Sequence, residues 1–272
     1  MFYLCTSGNA QNLQLNFFAG TSNYAGDLFF KKSRLPEYNL SKAKLALGAG
    51  VTYALTSHVS LRTTFTYGKI GADDKASGID PRRNLSFKSS IWDLMIGGQL
   101  YLLNPDRYRV VPYAFTGLSF FHFNPYAHDR SGNKVYLQPL STEGQGIIDG
   151  REPYKLTQVS IPYGAGLSFG VSENVRVGME LSARKTFTDY LDDVSTTYVE
   201  YEILQSRRGN LAVEMAFRGD EVDDHAPYPT AGTERGIARF KDRYYFTTIS
   251  FAFRLNNGEG GRGKGLSCPK FF

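Results

Sequence analysis

A strict alternation of apolar and polar residues is the feature that most constrains what this chain can fold into. From Lys44 to Leu55, the odd positions carry apolar side chains and the even positions carry small or polar ones. Successive side chains of a β-strand point to opposite faces, so a period of two predicts a strand with one apolar face. The pattern resumes from Val59 to Tyr67 after a brief turn, which predicts a hairpin.

The same alternation recurs along the chain and predicts eight strands in total. Those outside the first hairpin are Leu13–Gly20, Trp92–Leu102, Arg109–Phe123, Val159–Phe169, Val175–Leu181 and Tyr245–Phe253. The connections alternate between long ones of roughly 17 to 50 residues and short ones of roughly five or fewer, as outer-membrane barrels do. In an antiparallel sheet this pattern places the short turns and both termini at the same end.

Composition supports an all-β class and argues against a helical membrane span. The chain has 28 Gly, 18 Tyr and 20 Phe, which favours strands and turns over helices. Its longest stretch without Asp, Glu, Lys or Arg runs from Val110 to His128 and contains Pro112, Gly117 and Pro125, so no membrane helix is expected there. The net charge of +5 is spread along the chain, and nucleic acid is not an expected partner.

Periodicity alone is compatible with two arrangements of the faces. A soluble β-sandwich or lipocalin-like barrel would bury the apolar face, whereas a membrane barrel would turn it towards lipid. The polar face is rich in small residues and carries charges of both signs, which suits the narrow lumen of an eight-stranded membrane barrel. The predicted lumen charges are Arg62, Asp93, Arg176, Glu180 and Arg184.

We therefore predict an all-β fold, an eight-stranded antiparallel transmembrane β-barrel in the lipid of an outer membrane. Its long loops are expected to be extracellular, and its C-terminal tail periplasmic. Aromatic residues near the strand ends are expected to form girdles at the two membrane interfaces. They are Tyr53, Tyr67, Tyr101, Tyr113, Phe123, Tyr163, Phe187 and Tyr245.

No motif predicts catalysis, a cofactor or a metal site. The four histidines are scattered, and the chain lacks a nucleophile elbow, a Gly-rich phosphate loop and an HExxH segment. The chain is therefore not expected to be an enzyme, although a barrel enzyme that assembles Ser, His and Asp from separate strands stays an alternative.

Two loop segments are distinctive, Pro139–Gly146 and Arg184–Ser195. The candidate functional residues within them are Thr142, Glu143, Gly144, Asp189, Asp192 and Asp193. The three aspartates could bind a calcium ion or, as such residues commonly do, cap turns. The stretch Tyr201–Phe217 has a helix-compatible composition apart from Gly209, which predicts a short helix over the barrel mouth.

The termini suggest a division into residues 1–10, a remnant of a signal peptide, 11–255, the barrel, and 256–272, a periplasmic tail. Gly8 and Ala10 form a small-residue pattern of the kind that precedes signal-peptide cleavage. Cleavage after Ala10 would remove Cys5 and leave Cys268 as the lone cysteine. That thiol is either idle or available for an intermolecular disulfide.

Five segments carry a resemblance to a known family. They are Pro139–Gly146 (PLSTEGQG), Leu156–Gly166 (LTQVSIPYGAG), Arg184–Ser195 (RKTFTDYLDDVS), Gly236–Phe246 and Cys268–Lys270 (CPK). In these segments the chain resembles the PorG-like outer-membrane barrels of the type IX secretion system of Bacteroidota. The resemblance covers most of the chain from Phe17 onward and is weakest at the extreme N-terminus.

The resemblance implies a barrel of the export machinery that contacts a periplasmic ring formed by the lipoprotein PorK and by PorN. On that side, the chain offers its three short turns and the tail, with the candidate contacts Arg262, Lys264, Cys268 and Lys270. An eight-stranded lumen is just wide enough for side chains, so an anchor or assembly role is expected rather than a conduit. The alternative is a ligand-binding or adhesive barrel that acts through its outer loops.

Overall fold

Ten strands, eight of them long, dominate the computed structural model, which describes residues 13–28, 43–77 and 82–255. The strands are β1 Leu13–Ala25, β2 Lys44–Ala54, β3 Val59–Asp73, β4 Ser86–Tyr101, β5 Val110–His122, β6 Tyr126–His128, β7 Lys134–Tyr136, β8 Thr157–Gly170, β9 Val175–Thr186 and β10 Arg243–Arg254. The helices are α1 Asp74–Ser77, α2 Tyr201–Arg208 and α3 Asn210–Ala216, with 3₁₀ turns at Gln138–Leu140 and Gly219–Glu221.

The eight long strands close into a barrel in which every neighbouring pair is antiparallel. Around the barrel their order is β3, β2, β1, β10, β9, β8, β5 and β4, and β3 pairs with β4 to complete the ring. At this seam Val59 lies opposite Leu100. The predicted fold class, an eight-stranded antiparallel barrel, is confirmed. The short β6–β7 hairpin, which alternation did not predict, pairs with β4 through Tyr126 and Lys88.

The connections divide the barrel into two unlike ends. Short turns at 55–58, 102–109 and 171–174 lie at one end, together with the start of β1 and the end of β10. The longer connections are 26–43, 74–85, 123–156 and 187–242, and their described parts lie at the other end. We call these the short-turn end and the long-loop end.

The outer face of the barrel is a belt of exposed apolar side chains. On β4, Trp92, Leu94 and Ile96 are between 40% and 55% exposed. Similar exposed side chains on other strands include Phe17, Leu47, Phe65, Leu118, Phe120, Leu167, Met179, Leu181, Ile249 and Phe251. A lipocalin-like barrel would turn such residues inward, whereas a transmembrane barrel presents them to hydrocarbon. Of the two arrangements compatible with the alternation, the chain adopts the second.

Glycines on the inner face bring two strands into close contact. Gly97 on β4 lies opposite both Arg62 on β3 and Gly117 on β5. A Cβ at Gly97 would come within 2.2 Å of the carbonyl oxygen of Thr116, and one at Gly117 would come equally close to that of Ile96. A side chain at either position would therefore force the strands apart, and the space beside Arg62 stays free for its long side chain.

At the long-loop end, the lumen continues into an apolar core that the loops complete. Ile91, Phe121 and Phe246 on the barrel wall are at most 2% exposed. They belong to one cluster with loop residues that include Leu28, Leu85, Phe123, Leu137, Tyr154, Leu191, Val194 and Met215. We call the described parts of the four long connections that pack here the loop cap. The sequence predicted a short helix over the barrel mouth but not this apolar core, because the predicted lumen face was small and polar.

The helix predicted over Tyr201–Phe217 is confirmed as two short helices. α2 and α3 meet at Gly209, whose φ of +84° interrupts the helical path. Leu204 and Ala212 are fully buried against Val199 in a small cluster of the loop cap. Within the described ranges, no helix is both long and apolar enough to cross a membrane.

The predicted aromatic girdles are correct only in part. Tyr101, Tyr113 and Phe123 are at most 8% exposed and pack within the barrel or beneath the cap. The alternation assigns Tyr101 and Tyr113 to the inner face, because they are in phase with the inward residues of β4 and β5. Aromatic side chains that do lie exposed on the outside are Tyr53, Tyr163 and Phe187.

Candidate functional site: a filled lumen, a loop cap and a cationic mouth

A bidentate ion pair crosses the lumen in its short-turn half. Arg62 Nη1 donates to Glu180 Oε2 at 2.6 Å, and Nη2 donates to Oε1 at 3.0 Å. Tyr113 also donates to Glu180 at 3.0 Å, and the Arg62 guanidinium lies 4.3 Å from the centre of the Phe115 ring. β3 and β9 are four positions apart in the ring of eight strands, so this pair spans the full width of the barrel. Bidentate geometry holds both side chains in one orientation.

A second ion pair crosses the lumen nearer the loop cap. Arg184 Nε lies 3.3 Å from both carboxylate oxygens of Asp93, and its Nη2 donates to Oδ1 at 3.2 Å. Tyr244 and Ser119 donate to Asp93 Oδ2 at 2.6 and 3.0 Å. These side chains are almost completely buried, and a buried charge without such partners is strongly destabilising. The network therefore fixes the inner side chains in place.

The two ion pairs fill the lumen with the protein's own side chains. Beneath the first pair, a cavity that Arg62 and Glu180 help to line measures about 20 Å³, which is room for about one water. A barrel of eight strands has just enough interior for its side chains. The arrangement can hold the barrel in one shape, but it leaves no passage for a folded protein.

Arg176, the fifth predicted lumen charge, lies at the short-turn mouth and differs from the other four. Its guanidinium donates to Ser168 Oγ at 2.8 Å and to the carbonyls of Pro105 and Arg109 at 2.9 and 3.1 Å. Within the described ranges it forms no ion pair with a carboxylate. Its positive charge is therefore held at the mouth by uncharged acceptors.

The two distinctive loop segments contact each other within the loop cap. Thr142 donates to Asp193 Oδ2 at 2.5 Å, and the Ser195 amide donates to Glu143 Oε1 at 2.9 Å. Gly144, within the first segment, has a φ of +78°. Residues with a side chain rarely adopt this conformation, so the turn after Glu143 requires glycine. Glu143 and Asp193 are both fully buried. These motif residues build the interior of the cap and are not available on its surface.

Arg235, which sequence reasoning did not single out, joins the two segments. It donates to Glu143 Oε1 at 3.0 Å, to the Asp193 carbonyl at 2.5 Å and to the Ala216 carbonyl at 3.1 Å. Its side chain is 2% exposed. The sequence signal was slight, because Arg235 is a single base next to Gly236, where one of the family-like segments begins.

Arg83 extends this network to the remaining loops and was also missed. It donates to both carboxylate oxygens of Asp74, at 2.8 and 2.7 Å. It also donates to the carbonyl of Arg235 and, at 3.4 Å, to that of Asp27. Asp27 follows β1, and Asp74 and Arg83 lie between β3 and β4. Two arginines therefore connect all four long loops.

A tyrosine hydroxyl bridges two buried carboxyl groups in the cap. The Tyr24 hydroxyl oxygen lies 2.7 Å from Asp192 Oδ2 and 3.0 Å from Asp242 Oδ1. Since the hydroxyl has one hydrogen to donate, satisfying both contacts requires a proton on one of the carboxyls. Burial raises the pKa of Asp192 and of Asp242 well above the usual range, and their mutual repulsion adds to it for Asp242.

Other cap carboxyls are shifted in the same direction. Burial raises the pKa of Asp189 to about 8, and those of Asp27 and Asp193 to about 6. The Arg235 guanidinium opposes this shift at Asp193, and the backbone amide of Ile237 opposes it at Asp27. Several cap carboxyls are thus poised to hold protons near neutral pH.

The three loop aspartates act as hydrogen-bond acceptors in this structure. Asp192 accepts the amide of Val194 two residues further on at 3.0 Å, and Asp189 accepts the Ser195 hydroxyl at 2.8 Å. Asp193 accepts Tyr154 at 2.7 Å. Among the residues that can be described, no three Asp, Glu, His or Cys side chains are arranged to hold a metal ion. The geometry favours the turn-capping alternative.

Some predicted residues cannot be placed. The candidate contacts of the tail, Arg262, Lys264, Cys268 and Lys270, lie outside the described residues, and so does the segment 1–10.

A closed antiparallel barrel with a lipid-facing apolar belt and a lumen filled by ion pairs defines a small transmembrane barrel of the outer-membrane class. The chain belongs to the family described as Domain of unknown function (DUF6089), whose model matches residues 1–217. Among curated proteins, none matches the sequence.

Several solved outer-membrane barrels resemble this architecture. Neisserial surface protein A (NspA) has 10% sequence identity and a TM-score of 0.43, covering 89% of this chain and 97% of that one. Ail, the attachment invasion locus protein of Yersinia pestis, in complex with the heparin analogue sucrose octasulfate, has 9% identity and a TM-score of 0.42, covering 90% and 98%. The outer membrane protein OprG from Pseudomonas aeruginosa has 7% sequence identity and a TM-score of 0.41, covering 89% of this chain and 96% of that one.

Proposed function

We propose that this barrel is an outer-membrane component of the type IX protein secretion machinery and its associated gliding apparatus. In this role it anchors or contacts the periplasmic ring of PorK and PorN. The long loops are then extracellular, and the short turns and both termini are periplasmic. The barrel acts as a fixed assembly element, neither a conduit nor an enzyme.

The observation that carries this proposal is the filled lumen. The Arg62–Glu180 and Arg184–Asp93 pairs cross the barrel at two levels, and the loop cap packs over the long-loop end. A barrel closed in this way can act only through its outer wall and its two ends. An anchoring role uses those surfaces and needs no passage through the lumen.

The resemblance to PorG-like barrels supports the choice of machinery. Two of the segments that carry it, Pro139–Gly146 and Arg184–Ser195, meet in the buried network of the cap. Their buried residues stabilise the barrel end and are not themselves available to an adhesive ligand. The exposed short turns at the opposite end are the surface we assign to the ring.

Deleting the gene in its native host tests the proposal. We expect cargo proteins of the type IX system to stay inside the cell and to reappear outside when the intact gene is restored. An affinity-tagged chain, extracted in mild detergent, should co-purify PorK and PorN. Normal cargo secretion by the deletion strain would contradict the proposal.

The tail is tested by truncation and by a single substitution. Removing residues 257–272 should reduce co-purification of the ring if the tail docks it, and an undiminished yield would exclude the tail. For an intermolecular disulfide at Cys268, non-reducing gels of the native complex should lose a band in Cys268→Ser. An unchanged band pattern would remove the crosslink.

The adhesive alternative is tested at a loop tip that the cap does not use. Swapping the whole segment 124–155 would remove Glu143 and Tyr154 from the buried network, so loss of function would be ambiguous. The exposed hairpin tip 131–133 can be exchanged without touching those contacts. If exchange of the tip abolishes surface adhesion and leaves secretion intact, the adhesive alternative is favoured. If both adhesion and secretion are unchanged, the ring proposal is favoured.

A further inference from the structure

A polar cup opens at the short-turn end of the barrel, and four of its lining residues are arginines. Its volume is about 540 Å³, within the range of pockets that bind small ligands or peptide side chains. The charged lining residues are Arg107, Arg109, Arg176, Arg254, Asp106 and Glu173. The inward-facing Gln14 and Ala252 also line it, so the cup opens into the end of the barrel and does not face the lipids around it.

The arginines of the cup are only partly neutralised. Arg254 forms an ion pair with Asp106 at 2.6 Å, whereas Arg176 is held by carbonyl and hydroxyl groups. Arg109 donates to the carbonyl of Gly170 at 3.2 Å, and both Arg109 and Arg107 are exposed. Four guanidinium groups thus face two carboxylates, and the cup carries a surplus of positive charge.

The filled lumen excludes permeation as the reason for this charge. Directly behind the cup, the Arg62–Glu180 pair closes the barrel. A cationic mouth would select anions only if the anions could continue through the lumen. A cup that ends blindly can instead hold a negatively charged group that stays bound.

The choice of ligand follows from charge and position. The chain's own tail after Arg254 is a poor occupant, because it carries Arg262, Lys264 and Lys270 against the single acid Glu259. Lipid headgroups surround the barrel, whereas the cup is lined by inward-facing residues and by the short turns. Guanidinium groups bind carboxylates in paired hydrogen bonds, which suits the Asp and Glu side chains of a protein segment.

We propose that this cup binds an acidic segment of a periplasmic partner protein, with Arg107 and Arg109 as the outer contacts. The inference rests on the proposed function in one respect, the placement of the short-turn end in the periplasm. It adds the location of the docking surface and the chemistry of the partner. The segment would present two or more carboxylates to the exposed side chains of Arg107 and Arg109.

A binding experiment on the full chain in nanodiscs of zwitterionic lipid tests the cup. The probe is a fluorescent hexaglutamate peptide, followed by anisotropy, with hexalysine as a probe that should not bind. Replacing Arg107→Glu and Arg109→Glu together should weaken hexaglutamate binding by about tenfold or more, since two exposed attractive pairs become repulsive. The matched control is Arg207→Glu with Arg239→Glu, which changes the net charge equally at exposed cap positions.

The control pair should leave binding unchanged. Equal weakening by both pairs would show a general charge effect and overturn the proposal, as would failure of hexaglutamate to bind the wild-type chain. The single substitution Arg107→Gln, at an exposed turn position, keeps the test valid if the double variant misfolds. Vesicles with anionic lipid that compete fully with hexaglutamate would assign the cup to lipid and overturn a protein partner.

Secretion assays separate this inference from the function on which it rests. If the deletion strain fails to secrete and the Arg107→Glu, Arg109→Glu chain restores secretion and ring co-purification fully, the cup inference is wrong and the proposed function stands. If the deletion strain secretes normally while hexaglutamate still binds through these arginines, the proposed function fails and the cup is an acidic-peptide site for another partner.

Discussion

The charged side chains inside this barrel show how residue chemistry shapes a narrow lumen. Arg62 and Glu180 come from opposite walls and meet in bidentate geometry, and Tyr113 satisfies a further carboxylate lone pair. A buried ion pair is weak evidence for stability by itself, because desolvation offsets its attraction. Removing one partner is different, since the other charge stays buried without compensation.

Glu180→Gln should therefore destabilise the barrel markedly. We expect its free energy of unfolding to fall by about 3 kcal/mol, because Arg62 loses its carboxylate. Urea unfolding in detergent micelles, followed by the fluorescence of Trp92, the chain's one tryptophan, measures the change. Glu173→Gln, at an exposed turn position, is the matched control. Equal midpoints for the two variants would mean that the pair contributes little.

At the scale of elements, the alternation predicted the eight long strands because each has one face in lipid and one in the lumen. It placed charges of both signs in the lumen but could not predict which of them pair, since Arg62 and Glu180 are 118 residues apart and meet only after the barrel closes. The girdle prediction placed Tyr101 and Tyr113 wrongly because it gave aromatic character more weight than the phase of the alternation. Phase was the better guide, because a one-residue shift moves a side chain to the other face.

The loop cap was largely unpredictable for a related physical reason. Loops have no periodicity, and contacts such as that of Glu143 with Arg235 join positions 92 residues apart. The two distinctive segments indicated where something specific occurs but not that they touch. The short helical region was predictable because its composition suits a helix and Gly209 marks the break.

Arg235→Gln should loosen the cap without unfolding the barrel. It removes the positive charge that compensates buried Glu143, while the strand ladders stay intact. Limited chymotrypsin digestion should cut the loops of this variant at least about fivefold faster than those of Arg239→Gln, an exposed control. Heat-dependent gel mobility should show that both barrels are folded. Equal digestion rates would contradict the role given to Arg235.

The cap should also become less stable as pH rises. The pKa values of Asp27 and Asp193 are raised to about 6 and that of Asp189 to about 8, against about 4 in an unfolded chain. At pH values between the unfolded pKa of about 4 and the cap pKa values of about 6 to 8, the closed cap binds more protons than the open one. The stability of the cap is therefore greatest at low pH and is lost as the pH rises through 6 to 8.

Hydrogen exchange measures this dependence directly. The amides of Leu191 and Val194 donate to Asp242 and Asp192, and their protection reports closure of the cap. After correction for intrinsic exchange, protection should fall between pH 5 and pH 9, while amides in the middle of β10 serve as the reference. Protection that is constant or rises with pH would contradict the binding of protons by the carboxyls of the closed cap.

At the scale of the whole molecule, the filled lumen and the cap make the barrel a closed body. Purified protein in planar lipid bilayers should show no steady conductance above that of the bare membrane, because about 20 Å³ of free space beneath Arg62 admits only about one water. The double variant Arg62→Ala with Glu180→Ala empties one level of the lumen and should still show no steady conductance, because the Arg184–Asp93 pair and the loop cap close the remaining length. A large, steady conductance of the wild-type chain would contradict closure.

A closed barrel has to act through its surfaces, and in the proposed function the acting surface is the short-turn end. The most direct measurement is photocrosslinking in living cells from a benzoylphenylalanine placed at exposed Ser57 or Ser172 in the short turns, or at exposed Asp224 in the loop cap. We predict light-dependent adducts with PorK or PorN from Ser57 or Ser172, and none from Asp224. Adducts with those proteins from Asp224 alone, or from none of the three positions, would contradict contact between the short-turn end and the ring.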